Sequence, residues 1–358
     1  MADGLDIAFF GSSLLSSWWN GACTYYRGIL SGLHGLGHRV TFYEPRAFGR
    51  QEHRDIGDID YAEVVVYAAD SESPVSAAVR AARGADVVVK ASGVGVHDEF
   101  LESAVARADG ALRIFWDVDA PATLARLERD PGDPLRAQLP RYDVIVTYGG
   151  GERVRERYAA AGAQRCEVVY NGLDPATHHP VDPDPRFTAD CSLLANRLPD
   201  RERRIDEFFF AAARLLPERQ FLLGGNGWDD KAMPANVRWI GHVGTAEHNA
   251  FNCSAACVLN VTRESMAANG WSPPTRIFEA AGAGACVITD AWAGVDDFFT
   301  PGHEMLVAAD AAEVAAHVDG LDAARSRRIG ARAADRALAA HTYGQRAAQV
   351  DDLLRKYR

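Results

Sequence analysis

The chain has 358 residues, 47% of them hydrophobic and 24% charged, and because a single core stops growing near about 250–300 residues, two cores are expected. Its 38 Lys and Arg face 49 Asp and Glu, a formal charge of -11, and no Lys/Arg-rich run is present to track a phosphate backbone, which argues against nucleic acid as a partner. The start, Met1-Ala2-Asp3-Gly4-Leu5-Asp6, has no positive n-region, and no apolar run approaches the roughly 20 residues of a membrane span, so a cytoplasmic chain with no membrane span is expected.

Along the first half, short apolar, β-branched runs alternate with amphipathic stretches, the pattern of βαβ units around a parallel sheet. Strands are expected at 7–10, 39–43, 64–67, 87–90, 112–115, 144–147 and 167–170. Apolar residues at helical spacing mark 22–36, 75–83, 98–107, 122–128 and 151–161 between them. Residues 171–190 read as a linker, because Asn171, Gly172, Pro175, Pro180, Pro183 and Pro185 break any regular element. Alternation resumes with strands at 191–195, 221–224, 237–240, 257–261 and 286–289 and helices near 205–215, 246–252 and 275–283. The stretch 311–358 is Ala/Arg-rich and helical throughout, with a break near His341-Thr342. The fold class expected is α/β, with two Rossmann-like doubly wound domains facing across a cleft: 1–170, the linker 171–190, 191–340, and a C-terminal helix, 341–358, crossing back to the first domain.

The six cysteines, Cys23, Cys166, Cys191, Cys253, Cys257 and Cys286, form no CxxC pair and read as reduced, buried small apolar residues. Cys253 and Cys257 lie about one helical turn apart, but with no second ligand pair nearby no metal is expected there.

Residues 260–290 are the most informative segment. A buried strand leads through Thr262-Arg263-Glu264-Ser265 to Gly270-Trp271-Ser272-Pro273-Pro274-Thr275-Arg276 and then to a small-residue helix. A stiff Pro-Pro loop feeding a helix start aims free N–H groups and the positive dipole end at one point, which suits a pyrophosphate. Ser272, Thr275 and Arg276 would add donors, and Glu279, one turn in, would accept from two vicinal ribose hydroxyls. Ordinary N-capping by Ser272 or Thr275 with a surface Glu is the alternative.

Several motifs carry a family resemblance. Asn171-Gly172-Leu173-Asp174 followed by Pro180 resembles the interdomain linker of GT-B glycosyltransferases, and Phe278-Glu279-Ala280-Ala281-Gly282-Ala283-Gly284 resembles their nucleotide-sugar helix. Leu259-Asn260-Val261-Thr262-Arg263, Trp271-Ser272-Pro273, Arg276-Ile277-Phe278-Glu279-Ala280 and Asp297-Phe298-Phe299-Thr300-Pro301-Gly302-His303-Glu304 are similar to the CgeB-like, family 1/4-like branch of that superfamily. So are Ser16-Ser17-Trp18-Trp19-Asn20-Gly21 with Tyr26-Arg27, Gly37-His38-Arg39-Val40, Trp116-Asp117-Val118-Asp119-Ala120-Pro121-Ala122-Thr123-Leu124 and Tyr142-Asp143. The resemblance spans nearly the whole chain, and the order and spacing of its motifs are specific where each alone is moderate.

The resemblance implies a glycosyltransferase that moves a sugar from a nucleotide diphosphate sugar to a small-molecule or glycan acceptor. It implies no cofactor and no metal and leans towards retention of configuration; the chain is expected to be a monomer or homodimer. The second domain would bind the donor, with Glu279 at the ribose, Trp271, Ser272, Pro274 and Thr275 facing diphosphate and sugar, and Arg201 neutralising a phosphate with Arg197, Arg263 and Arg276. Gly241 and His242 would meet the base. For the arginines the alternative is a solvated helix start, since Arg201, Arg203 and Arg204 stand in one polar run with Glu202. In the first domain Gly11, Asn20 and Gly21 are the candidate cleft residues, against a plain flexible loop.

Asp117-Val118-Asp119 looks like the metal-binding DxD of other glycosyltransferases, but it ends a strand in the domain opposite the donor. Asp117 and Asp119 are instead candidates for acceptor contact or a base, against simple capping of the helix begun at Pro121. His97 is the other candidate base, since an imidazole is the side chain suited to proton transfer near neutral pH, against a loop residue. Departures from the family pattern stand at Ala22 and Ala91, where His is usual, at Trp19, where Gly is usual, and at Trp271, in place of the first acid of a paired-glutamate pattern. A nucleotide-sugar epimerase of the same fold and a non-catalytic nucleotide-binding partner protein remain the rival readings.

Overall fold

Most β-branched or aromatic runs that open a βα unit become strands buried on both faces, as a sheet covered by helices on both sides requires, while those at the sheet edges stay partly exposed. The computed structural model describes residues 4–18 and 20–358; the chain start 1–3 and the Trp19 departure lie outside the described residues.

Two units are present, one made of Met1–Tyr170 with Tyr343–Arg358 and the other of Asn171–Thr342. The first holds strands β1 Asp6–Phe10, β2 Arg39–Arg46, β3 Glu63–Ala68, β4 Val87–Ala91, β5 Leu112–Asp117, β6 Val144–Thr147 and β7 Cys166–Val168. All pair parallel in the order β3-β2-β1-β4-β5-β6-β7. Helices α1 Cys23–Gly35, α2 Glu72–Ala81, α3 Asp98–Val105, α4 Ala120–Arg129, α5 Pro134–Gln138 and α6 Gly151–Ala160 connect them.

The second unit has strands β8 Ala189–Leu194, β9 Phe221–Gly224, β10 Val237–Trp239, β11 Ala255–Asn260, β12 Val287–Asp290 and β13 Leu306–Ala308, in the order β10-β9-β8-β11-β12-β13 and all parallel. Its helices are α7 Pro199–Ile205, which runs through a π-helical stretch Asp206–Phe210 into α8 Ala211–Leu215, then α9 His248–Ser254, α10 Glu264–Asn269, α11 Thr275–Gly282, α12 Ala311–Asp319 and α13 Ala323–Ala340. In each sheet the strand order reverses once, between β1 and β4 and between β8 and β11. The crevice outside the carboxyl ends of such a strand pair is where open α/β sheets bind ligands.

The last helix, α14 Tyr343–Tyr357, belongs to the first unit, and its Tyr343, Ala347, Val350 and Leu354 share one apolar cluster with Phe9, Ile29, Leu33 and Trp116. Gly28 and Gly32, one turn apart on α1, make the seat. A Cβ on Gly28 would lie 2.2 Å from the Tyr343 ring, and one on Gly32 would lie 2.4 Å from the Ala347 Cβ. Farther along α14, Gln349 Nε2 donates to the Val168 carbonyl at 2.9 Å.

The terminal stretch is not helical throughout. Besides the expected break at His341-Thr342 it breaks at Gly320-Leu321-Asp322, where Gly320 ends α12 and the Asp322 carboxylate caps α13 by accepting from the Arg325 N–H at 2.7 Å. Helices α2 and α7 begin three and six residues before the expected 75 and 205, because their first turns, Glu72-Ser73-Pro74 and Pro199-Asp200-Arg201, are polar and Pro is tolerated there. The short elements α5, α10 and β13 had no periodicity to announce them.

All six cysteines are free thiols, and burial pushes Cys23, Cys166 and Cys286 up to about 12, which keeps them protonated and unreactive. No helix among the described residues is long and apolar enough to cross a membrane.

Candidate functional site

The loops at the carboxyl ends of β8, β9, β11 and β12 assemble one site in the second unit. Arg201, on the first turn of α7, turns back so that its Nη2 donates to the Asn196 carbonyl at 3.2 Å, while its Nε is buried with no hydrogen-bond partner. Arg263, just past β11, donates from Nε to Asp200 at 2.9 Å, and Asp200 also accepts from Ser265 Oγ at 2.6 Å. Arg276 enters from the first turn of α11, with its Nη1 buried and lacking a hydrogen-bond partner. Burial, followed by the Arg276 and Arg263 guanidiniums, pulls Arg201 down to about 10, with Asp200 opposing. Arg201 is therefore still a cation at neutral pH, held against two like charges, which is the arrangement of an anion site.

The start of α11 adds to that charge. No side chain caps this helix, because Ser272 Oγ donates to the Gly270 carbonyl at 2.9 Å instead and Pro274 occupies the cap position. The capping alternative is thus not what Ser272 does, and the first-turn N–H groups and the dipole point out of the helix end. The loop before it is set by backbone geometry: Gly270 has φ 73° and Trp271 φ 42°, a left-handed conformation that costs a bulky residue about 1–2 kcal/mol. Trp271 is pinned by its N–H on the Ala293 carbonyl at 2.7 Å and by its indole N–H on Asp297 at 2.6 Å. Gly294 leaves the room, since a Cβ there would lie 2.4 Å from the indole. The residue in place of the family's first acid is thus a rigidly presented aromatic.

Glu279 lies inside, on the buried face of α11. Burial pushes its carboxyl up, but Arg276, whose Nη1 is 3.6 Å from Oε2, together with the His178 and His248 rings outweighs this and holds it below the ordinary carboxylate range. Two residues that the sequence did not single out complete its surroundings. His178, in the linker, places Nε2 3.8 Å from Glu279 Oε1, and its Nδ1 lies 3.0 Å from Thr177 Oγ1. His248, on α9, has a buried Nδ1 without a partner; burial and then Arg276 bring its pKa to about 4, so it is neutral at pH 7. Neither histidine sits in a motif, and they lie 101 and 31 residues before Glu279 in the sequence, so no local spacing could have found them.

Arg197 is not in the guanidinium cluster: its charge is met by Glu202 at 2.8 Å and by Asp230. Arg203 fits the solvated-start alternative, pairing with Glu207 and Glu264, whereas Arg204 turns inward to the Thr262 carbonyl and the buried Asp290. Gly241 has φ 74° with open space where a Cβ would be, and exposed His242 Nδ1 lies 3.4 Å from Asn226 Nδ2. That asparagine belongs to Gly225-Asn226-Gly227, a loop also missed, although two adjacent glycines where a strand ends, Gly224-Gly225, are a readable signal. At Gly225 a Cβ would lie 2.1 Å from the Ala195 carbonyl oxygen.

In the first unit several candidates are committed to structure. Gly11 is small because a Cβ would strike the Phe42 ring at 2.3 Å. Asn20 spends its amide on the loop, accepting from Ser12 Oγ and donating to the Ser13 and Ser16 carbonyls, whereas Gly21 faces open space. Asp117 is fully buried, with Oδ1 accepting from the Asp119 N–H at 2.9 Å and Thr123 Oγ1 at 3.1 Å and Oδ2 accepting from the Tyr158 hydroxyl. It organises the start of α4. Asp119 occupies that helix's cap position, half-buried, without a side-chain capping bond. His97 has φ 51° and holds the Ala69 carbonyl through Nε2 at 3.1 Å.

The Glycosyl transferase-like family matches residues 201–352. No curated protein sequence matches the chain. Among solved structures, the sucrose-phosphate synthase of Thermosynechococcus elongatus aligns with TM-score 0.72 at 15% identity over 98% of both chains. HepE of Anabaena, solved with UDP and glucose, aligns with TM-score 0.67 at 15% identity over 98% of this chain and 100% of its own. AviGT4, a glycosyltransferase involved in avilamycin A biosynthesis, aligns with TM-score 0.62 at 18% identity over 98% and 97%. The family match covers most of the second unit and runs into α14, and the two parallel sheets have the fold of these solved glycosyltransferase structures.

Proposed function

We propose that the chain transfers a glycosyl group from a UDP-sugar, without a metal and with retention of configuration, to a small-molecule or glycan acceptor. The observation that carries this reading is the half-buried triad Arg201, Arg263 and Arg276 at the uncapped start of α11. Splitting the glycosyl–phosphate bond puts growing charge on the leaving diphosphate, and preorganised cations with a helix start stabilise that charge. Three guanidiniums stand where another class of enzyme would use a metal. Uracil is favoured as the base because HepE was solved with UDP.

In this reading Glu279 accepts from the ribose hydroxyls, Gly241 and His242 border the base, and Trp271, Ser272, Pro274 and Thr275 border the sugar. Retention is supported by what Asp117 is doing: a carboxylate already accepting three hydrogen bonds is a poor base. With retention the departing phosphate oxygen takes the acceptor proton, so the missing histidines at Ala22 and Ala91 are tolerated. Were the reaction inverting, Asp119 and His97 would be the candidate bases.

Calorimetric titration with UDP, dTDP, GDP, ADP and CDP tests the donor site without knowledge of the acceptor. We expect one preferred diphosphate, UDP, weakened tenfold or more, about 1.4 kcal/mol, in Glu279→Ala and in Arg201→Met. Arg201→Met should melt no lower than the parent, because it replaces a desolvated, repelled cation by an apolar chain of similar length, so its loss of binding would not be misfolding. Binding of none of the five would overturn the reading. Release of free sugar-nucleotide isomer from donor alone would favour the epimerase instead.

A further inference from the structure

The ribose seat has a second chemistry available to it. His178 Nε2, Glu279 and the His248 ring bring three donor atoms within 4.8 Å of one another, two imidazoles and one carboxylate. That is the ligand set of a borderline divalent cation. We propose that His178, His248 and Glu279 form a Zn²⁺ site whose occupation closes the donor site by taking the carboxylate that would hold the ribose.

Three features of the geometry support it. Metal-bound histidines use one ring nitrogen for the ion and fix the other through a hydrogen bond, which sets the ring's orientation. The His178 ring is arranged in that way: its Nδ1 is engaged by Thr177 Oγ1 at 3.0 Å, leaving Nε2 toward Glu279. The His248 ring offers a buried Nδ1 without a hydrogen-bond partner. Second, His178 and Glu279 are only 4% and 8% exposed, so the ligands are held by packing and not by solvated side chains. Third, tetrahedral zinc with bonds of about 2.1 Å sets its ligand atoms about 3.4 Å apart. The His178 Nε2 to Glu279 Oε1 separation is 3.8 Å, which small side-chain rotations can close.

Arg276 works against the ion. Its Nη1 lies 3.6 Å from Glu279 Oε2, so a cation must share the carboxylate with a guanidinium. That opposition fits a reversible, inhibitory site and not a structural one, and the open fourth position would hold water. The coupling to the donor rests on the ribose role proposed for Glu279, whereas the zinc site itself does not.

The test is calorimetry on the full chain with ZnCl₂ alone, with MgCl₂ alone, and with UDP in the presence and absence of saturating zinc. We expect one zinc per chain and no magnesium heat, with zinc affinity falling tenfold or more in His178→Ala, His248→Ala and Glu279→Gln. In the parent chain zinc should weaken UDP tenfold or more, and in His178→Ala the ratio of UDP affinities with and without zinc should collapse to about one. Circular dichroism of each variant excludes unfolding as the cause. Absence of zinc binding in the parent, or unchanged zinc affinity in His178→Ala, overturns the site while leaving the UDP titration to judge the donor reading. Zinc bound through these three residues with no effect on UDP overturns the exclusion, and with it the ribose role of Glu279.

Discussion

Arg197 and Arg201 stand four positions apart, on either side of the Leu198-Pro199 start of α7, and desolvation separates their roles. Arg197 reaches two acids at the surface, while Arg201 is turned inward beside two more guanidiniums and falls to about 10. The same physics acts at Glu102, which is 4% exposed on the buried face of α3 and is pushed by burial from the ordinary 4.5 up to about 7, against the pull of Lys90 and Arg126. A carboxyl whose pKa is raised in the fold supports it fully below pH 4.5 and loses that support as the pH climbs through about 7, by roughly 3 kcal/mol. Glu102→Gln should therefore melt higher than the parent at pH 8 and match it near pH 4.5. Thermal melts across pH 4.5–8 check this, and parallel curves for the two proteins would refute it.

At the scale of elements, α1 shows how a glycine pair docks a helix. Gly28→Ala sets a methyl 2.2 Å from the Cγ of Tyr343, too close to the backbone end of that side chain for rotation to relieve. Overpacking of this kind costs about 1–3 kcal/mol, more than the roughly 1 kcal/mol that Ala gains over Gly in a helix. Gly35, on the same helix, has nothing within 4 Å of the place a methyl would take and is the control. In urea melts Gly28→Ala should lower the midpoint and Gly35→Ala should hold or raise it. The strand–loop–helix at 260–282 was legible as an element because Pro273-Pro274 and the small-residue run are local signals. The π-helical stretch Asp206–Phe210 and the cap at Asp322 were not, because a run of good helix formers does not announce where its hydrogen bonds will shift.

At the scale of the whole chain, the first unit is closed by the last sixteen residues, so sequence order and folding unit do not coincide. Removing 343–358 strips Tyr343, Ala347, Val350 and Leu354 from the cluster that covers α1 and one face of the first sheet. Calorimetric scanning should then show the transition of the first unit lowered or lost and that of the second unchanged, with UDP affinity kept within about threefold. A shift of both transitions together would mean that the chain melts as one cooperative body.

What the sequence determined by itself is what short-range periodicity and special residues encode: the two alternations of strand and helix, the broken stretch after Tyr170, and the loop that starts α11 with Arg276 and Glu279 on it. These follow from neighbours within a few positions, where side-chain spacing and the φ limits of Pro and Gly act directly. Only the tertiary structure decided which charges lose water and which distant groups meet. It desolvated Arg201 and not Arg197, tied Asp117 and Asn20 into their own loops, and brought His178 from the linker and His248 from α9 onto Glu279. Desolvation and convergence depend on how the sheet orders its strands, and no local spacing in the chain carries that order.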